Sequence, residues 1–237
     1  APAVSLTRFE SDTSHLVIGA TGNVGPFLIR QLAEMGASTV VAVSRSGAGK
    51  LGDLATELKE LGTTLVEVAA DAADEAAMTA LFARFGADLP PLEGVYLAAL
   101  SGSESLITEL SDADVNTMFR SKLDAAVVLH RLTLRNPVRR FVLFSSITGL
   151  LGSRGVGHYT AANTFTDGLA YARRTLGLAA TVIEWGLASD RATTAAAMSE
   201  LMGADLRPLL PKTSLALVEV RGREYLLGIS SGNIQLL

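Results

Sequence analysis

Short apolar runs of five or six residues alternate along the chain with longer stretches of helical period, the rhythm of βαβ units and a parallel sheet. The runs predict strands at 15–19, 39–44, 64–69, 94–98, 140–145 and 180–184. Between them, apolar residues at every third or fourth position predict helices over 24–35, 53–61, 75–85, 112–134 and 161–176. The strands are continuously apolar and β-branched, which is the pattern of a sheet covered on both faces. The expected fold is therefore an α/β doubly wound parallel sheet with helices on both faces. Near the C-terminus, 218–220 and 225–229 read as short strands around Arg221-Gly222-Arg223, one of them closing the sheet edge. The stretch 188–210 is Ala- and Met-rich and helical in period. It follows a strand end directly, where α/β folds place movable substrate lids. Residues 1–14 read as a leader from an upstream segment, and 15–237 as a single domain.

Composition narrows the chemistry. A chain of 237 residues can bury about three quarters of the surface its unfolded form exposes, so it needs no staple. It has no cysteine, which removes disulfides, thiolate zinc sites and thiol nucleophiles. His15, His130 and His158 are scattered without ligand spacing, so no metal is expected. With 20 Lys plus Arg against 24 Asp plus Glu, the formal charge is -4, which argues against nucleic acid as a partner. No apolar run reaches the roughly 18 residues of a membrane span, and 1–14 carries charges where a signal peptide is apolar. The expectation is a soluble, cytoplasmic protein.

The first strand runs into Gly19-Ala20-Thr21-Gly22-Asn23-Val24-Gly25, and a helical run begins at once. Glycines at this spacing allow a tight turn and a close approach of a pyrophosphate, while the helix N-terminus offers free N–H groups and positive dipole. An ordinary glycine turn has the same composition, but its place between the first strand and the first helix favours a dinucleotide site. The second strand ends in Ser44-Arg45. An acidic residue there holds the ribose 2′-OH of NAD, whereas an Arg accommodates a 2′-phosphate, so Arg45 points to NADP(H). Asp71, after the third strand, is placed to accept the adenine amino group or is a plain loop carboxylate.

The fifth strand ends in Ser145-Ser146, and Tyr159 and Asn163 come next at i and i+4, on one face of the next helix. A tyrosine of ordinary pKa near 10 needs a nearby cation before its phenolate is accessible. Lys122, in the helical segment before the fifth strand, can be that cation. Taken singly, each has an ordinary role: Ser146 as a turn residue, Tyr159 as a half-buried aromatic, Lys122 as a solvated charge and Asn163 as a polar helix position.

Together these runs resemble the ketoreductase domains of modular type I polyketide synthases, a branch of the short-chain dehydrogenase/reductase superfamily in which the usual Lys and Asn have exchanged places. The resemblance rests on Gly19 to Gly25, Ser44-Arg45, Asp71, Ser121 to Ala126, Phe144 to Ile147, His158 to Asn163 and Glu184 to Gly186, in the family's order and spacing. It implies a Rossmann-like fold and a catalytic tetrad of Lys122, Ser146, Tyr159 and Asn163. It also implies NADPH held by Gly19, Thr21, Gly22, Asn23, Val24, Gly25, Ser44, Arg45, Asp71 and Ala98, with Lys122 and Tyr159 touching it too. The implied reaction is reduction of a 3-ketoacyl thioester, tethered by phosphopantetheine to an acyl carrier protein, to the 3-hydroxyacyl product. Neighbouring synthase domains, including a structural ketoreductase subdomain, are the implied partners.

The sequence departs from the family in places. Leu97-Ala98-Ala99-Leu100 stands where the family commonly has His-Ala-Ala-Gly. The stereochemical signatures are missing from 101–106 and from Leu151. Two other classes stay open at this point: a catalytically silent NADP-binding scaffold, and an extended-type epimerase or dehydratase acting on a nucleotide sugar, which Asn163 opposes. His158 reads as a pocket-wall residue, and Trp185 as either a nicotinamide neighbour or a packed aromatic. Arg131, Arg135, Arg139 and Arg140 cluster in sequence, either as a basic rim for an acidic carrier or as caps of a helix C-terminus. Arg154 lies nearer the expected site mouth.

Overall fold

A computed structural model describes residues 9, 10, 12–47 and 49–185, and the backbone of 213–220, 223–230 and 233–236. The elements run β1 (Ser14–Ile18), α1 (Gly25–Glu34), β2 (Thr39–Ser44), α2 (Gly52–Glu60), β3 (Thr64–Ala69), α3 (Glu75–Phe82), β4 (Leu92–Leu97) and α4 (Asp112–Phe119). A π-helical turn (Arg120–Asp124) comes next, then α5 (Ala125–Arg135), β5 (Arg140–Ser146), α6 (Thr148–Leu151), α7 (Gly157–Thr175), β6 (Thr181–Trp185), β7 (Thr213–Val220), β8 (Arg223–Ser230) and β9 (Asn233–Leu236). The sheet order is β3-β2-β1-β4-β5-β6-β7-β8-β9. Pairing is parallel as far as β7 and antiparallel beyond it. Among the described residues no helix is long and apolar enough to cross a membrane.

Successive residues of each inner strand feed opposite cores. Val17, Val40, Val142 and Ile183 pack with Leu28, Ile29 and Leu32 of α1 and Leu58 of α2. Leu16, Ile18, Val41 and Leu143 pack with Met78 of α3, Leu129 of α5 and Ala170 of α7. Leu28, Ile29 and Leu32 are fully buried, and each such side chain contributes about 1.5–3 kcal/mol relative to exposure. This two-sided burial is why the strands read as unbroken apolar runs.

Arg173 fastens the long helix to this frame. Its guanidinium lies 3.7 Å from the centre of the Phe141 ring. It donates to Ala179 O at 3.0 Å and Thr133 Oγ1 at 2.8 Å, and pairs with His130 Nδ1 at 2.9 Å. The start of α7 is thereby carried on a helix whose end is locked to α5 and β5.

The structure corrects several sequence boundaries. Ser14 already belongs to β1, with its hydroxyl bonded to Pro90 O at 2.8 Å, and Phe9 is buried against the His15 ring. Part of the expected leader is thus packed on the domain. α7 begins at Gly157 instead of 161. Gly157, His158 and Thr160 are weak helix formers that hide the first turn, and tertiary packing overrides them. α3 stops at Phe82 instead of 85, where Phe85 turns to bridge with Leu89. The single helix expected over 112–134 is broken by the π-helical turn. α6, the first half of β7 and all of β9 lie outside the predicted elements, and Arg223 opens β8 rather than lying in a turn. The expected lid, 188–210, lies outside the described residues.

Candidate active site

The carboxyl ends of β1, β2 and β4 surround the place where the sheet's strand order reverses, between β1 and β4. Open α/β sheets bind ligands in that crevice. Here it is a cleft of about 630 Å³, lined by Gly19, Thr21, Gly22, Asn23, Val24, Ser44, Arg45, Asp71 and Ala98. Gly25 stands behind the lining, while Lys122 and Tyr159 belong to the tetrad beyond it. The cleft also takes in Ser46 and Ser101, which the sequence does not single out because loop serines carry no periodic signal, and Ser121 of the π-helical turn.

The glycine loop has the room that a pyrophosphate needs. Gly19 has φ +85°, and a Cβ there would come within 2.7 Å of the Ala99 backbone. A Cβ on Gly25 would lie 2.3 Å from Ala20 O, so the loop closes on α1 only with hydrogen at that position. No side chain caps the N-terminus of α1 and its first turn holds no acid, leaving its dipole open to an anion. Thr21 and Ser46 hydroxyls pair at 3.1 Å, and Ser44 joins Ser46 at 3.3 Å. Arg45 is exposed at the rim and donates to Ser101 Oγ across the cleft. Asp71 is engaged by Arg120 at 2.7 Å. Despite partial burial, which acts upward, its pKa is held below the usual carboxylate range by the Ala73 amide and by Arg120. These residues fit a phosphorylated dinucleotide.

The four residues expected as a tetrad stand on three elements, and contacts join Lys122, Tyr159 and Asn163. The π-helical turn carries Lys122, and an extra residue in a turn rotates the side chains after it by about 100° relative to an unbroken α-helix. Lys122 is buried, and its Nζ donates to Phe144 O of β5 and to Asn163 Oδ1 of α7, each at 2.6 Å. It lies 5.4 Å from the centre of the Tyr159 ring. Asn163, fully buried, donates from Nδ2 to Tyr159 O at 3.0 Å. Ser146 ends β5 two residues beyond the carbonyl that Lys122 holds, and its hydroxyl accepts from the Thr148 amide at 3.3 Å. Burial pulls the Lys122 pKa down to about 8, with Asp167 acting in the opposite direction.

Comparison with known proteins supplies the family. The family model described as KR domain matches residues 13–190. The chain belongs to the ketoreductase domain family of polyketide synthases. A component of the phenolphthiocerol/phthiocerol polyketide synthase of Mycobacterium bovis is 62% identical over 177 residues, 75% of this chain and 11% of the relative. The spectinabilin polyketide synthase system protein NorA' of Streptomyces orinoci is 38% identical over 195 residues, 81% of this chain and 5% of the relative. Among solved structures, A-type ketoreductases from a modular polyketide synthase give a TM-score of 0.72 at 38% identity, covering 80% of this chain and 41% of that one. The first ketoreductase of the tylosin synthase gives 0.74 at 32%, covering 87% and 49%. The chain thus spans about a tenth or less of these curated relatives and under half of these solved ketoreductases. A second model, for the flagellar biosynthesis protein FliO, matches residues 188–237.

Within this ketoreductase domain the departures from the family pattern fall unequally. Leu97 ends β4 inside the core, whereas Leu100 lines the cleft and is exposed. His158 is buried with both ring nitrogens unpartnered. Trp185 packs against Phe144, ring centres 6.2 Å apart. Arg139 and Arg140 stand where β5 begins, away from its carboxyl end, and three members of the arginine cluster are paired: Arg131 with Glu75, Arg139 with Glu10 and Arg140 with Glu93. Clustering in sequence did not make a basic rim at the site, because each strand separates its two ends.

Proposed function

We propose that this chain reduces a 3-ketoacyl thioester, delivered on the phosphopantetheine arm of an acyl carrier protein, to the 3-hydroxyacyl thioester with NADPH. The observation that carries the reading is Lys122 reaching from the π-helical turn to Asn163 on α7, with the Tyr159 ring over the same ammonium. NADPH, when bound, supplies the hydride. Gly19, Thr21, Gly22, Asn23 and Val24 would hold its pyrophosphate, Ser44 and Arg45 its 2′-phosphate, and Asp71 and Ala98 would flank the rest of the cleft.

The chain's own residues manage the proton. The Tyr159 hydroxyl donates to the substrate's carbonyl oxygen as negative charge develops there, and the Ser146 hydroxyl donates to the same oxygen. Lys122 stabilises the tyrosinate left behind, because a cation beside a phenol favours its ionised form. Asn163 holds that ammonium in place. Tyr159→Phe, which keeps the ring and removes the proton donor, is expected to abolish turnover and leave NADPH binding nearly unchanged. Full activity in that variant would refute the mechanism.

A further inference from the structure

Tyr159 and Asn163 occupy one face of α7, and one turn further along the same face stands Asp167. Its carboxylate is set into the protein. Oδ1 is buried with no partner at hydrogen-bonding geometry, and the equally buried Ser145 hydroxyl acts on the carboxylate without closing a full hydrogen bond. Oδ2 lies against α6, where a Cβ built on Gly149 would sit 3.1 Å from it and 3.6 Å from Asn163 Cβ. A buried carboxylate that lacks its full set of hydrogen bonds is costly unless a cation offsets it. The cation on this face is Lys122, which donates at 2.6 Å to Asn163, one turn before Asp167 and packed with it against Gly149; the two charges act on one another.

We propose that Asp167 is a positioning residue of this site, a half-buried counter-ion that acts through Lys122 and keeps that side chain protonated beneath Tyr159. The role of Lys122 in reduction rests on the function proposed above; the electrostatic link between Asp167 and Lys122 does not. Ionisable groups on the elements that carry the pair or pack on them include Lys122 on the π-helical turn, His158 and Tyr159 on α7 itself, and Glu184 on β6, in register with Ser145 of β5. Burial raises the Asp167 pKa to about 6, against the opposing pull of the Ser145 hydroxyl and Lys122. Lys122 in turn has two neutral acceptors at 2.6 Å and one negative charge nearby. The helix therefore presents proton donor, amide holder and counter-ion at successive turns.

The test reads the lysine directly. The chain contains only Lys50, Lys59, Lys122 and Lys212, so the lysine Cε resonances are few and Lys122→Met assigns the relevant one. Its titration is followed in the wild type, in Asp167→Asn and Asp167→Ser, and in Asp167→Glu. Loss of the carboxylate is expected to lower the Lys122 pKa by about one unit, a tenfold rise in its acid dissociation constant, and Asp167→Glu is expected to restore most of it. The alkaline limb of the pH–rate profile is expected to move down by the same amount. A Lys122 titration that is unchanged in both the Asn and Ser variants would overturn the proposal even if activity fell. Because the resonance is read without turnover, an inactive wild type would refute the proposed function and still leave the Asp167–Lys122 link decided.

Discussion

Replacing Lys122 by Met removes a buried ammonium while keeping the apolar stem, so it separates what the charge does for catalysis from what it does for folding. At 5.4 Å from the Tyr159 ring centre, a unit charge acting through an effective dielectric of about 20 stabilises a tyrosinate by about 3 kcal/mol. That corresponds to roughly a hundredfold in rate. The stability terms oppose one another. Burial has moved Lys122 from 10.5 to about 8, a shift worth about 3 kcal/mol against the charged form, and Met removes this cost. Met also leaves Phe144 O and Asn163 Oδ1 without their donor, at about 1–3 kcal/mol each. The net change at pH 7 is expected to lie between about 1 kcal/mol stabilising and about 3 kcal/mol destabilising. The assay is NADPH-dependent reduction of a small 3-ketoacyl thioester, alongside urea denaturation of the same preparations. A variant that keeps its fold and retains activity within about threefold of wild type would refute the coupling of lysine to tyrosine, since about 3 kcal/mol requires far more.

Arg45→Ala is expected to weaken NADPH roughly ten- to hundredfold while changing NADH little, as loss of a charged phosphate contact costs about 1.5–3 kcal/mol; equal affinity of the intact protein for both cofactors would contradict this. Charge reversal at Arg154 is expected to slow reduction of a carrier-bound substrate, most at low salt, and to spare a small free thioester; equal loss on both would place Arg154 in the substrate site. His15 is buried with its pKa lowered to about 3, by burial first and Arg140 second. Because its folded pKa lies below the unfolded value of 6.5, the unfolded chain binds the extra proton. The stabilisation is complete above pH 6.5 and is lost toward pH 3, at about 1.4 kcal/mol per pH unit. His130 is lowered as well, by burial and then Arg173, which adds in the same direction. Denaturation midpoints that stay level from pH 7 to pH 4.5 would contradict both.

The parts of this structure that were legible in the sequence are those set by local pattern. The six inner strands announce themselves as β-branched apolar runs because both sheet faces are covered, and the glycine loop because Gly19 and Gly25 meet backbone that no other residue could approach. Three-dimensional juxtaposition was less visible. The partnership of Lys122 with Asn163 spans 41 positions, with no period to reveal it, so only the family resemblance proposed it. The π-helical turn that carries Lys122 keeps a helical composition and leaves no mark. Asp167 was readable in principle, four residues beyond Asn163 on the Tyr159 face, but nothing local distinguishes a half-buried helix carboxylate from a solvated one. The arginines near β5 could be read either as a rim or as helix caps because closeness in sequence does not say which end of a strand a side chain serves.

The central claim is that this chain moves a hydride onto a ketoacyl thioester and is not a silent binder of NADP. Single-turnover mixing of the protein with stoichiometric NADPH and a small 3-ketoacyl thioester tests it most directly. The expected result is loss of NADPH absorbance in step with formation of the 3-hydroxyacyl thioester, one for one. Bound NADPH that stays reduced in the presence of the thioester would contradict the account and leave a nucleotide-binding scaffold.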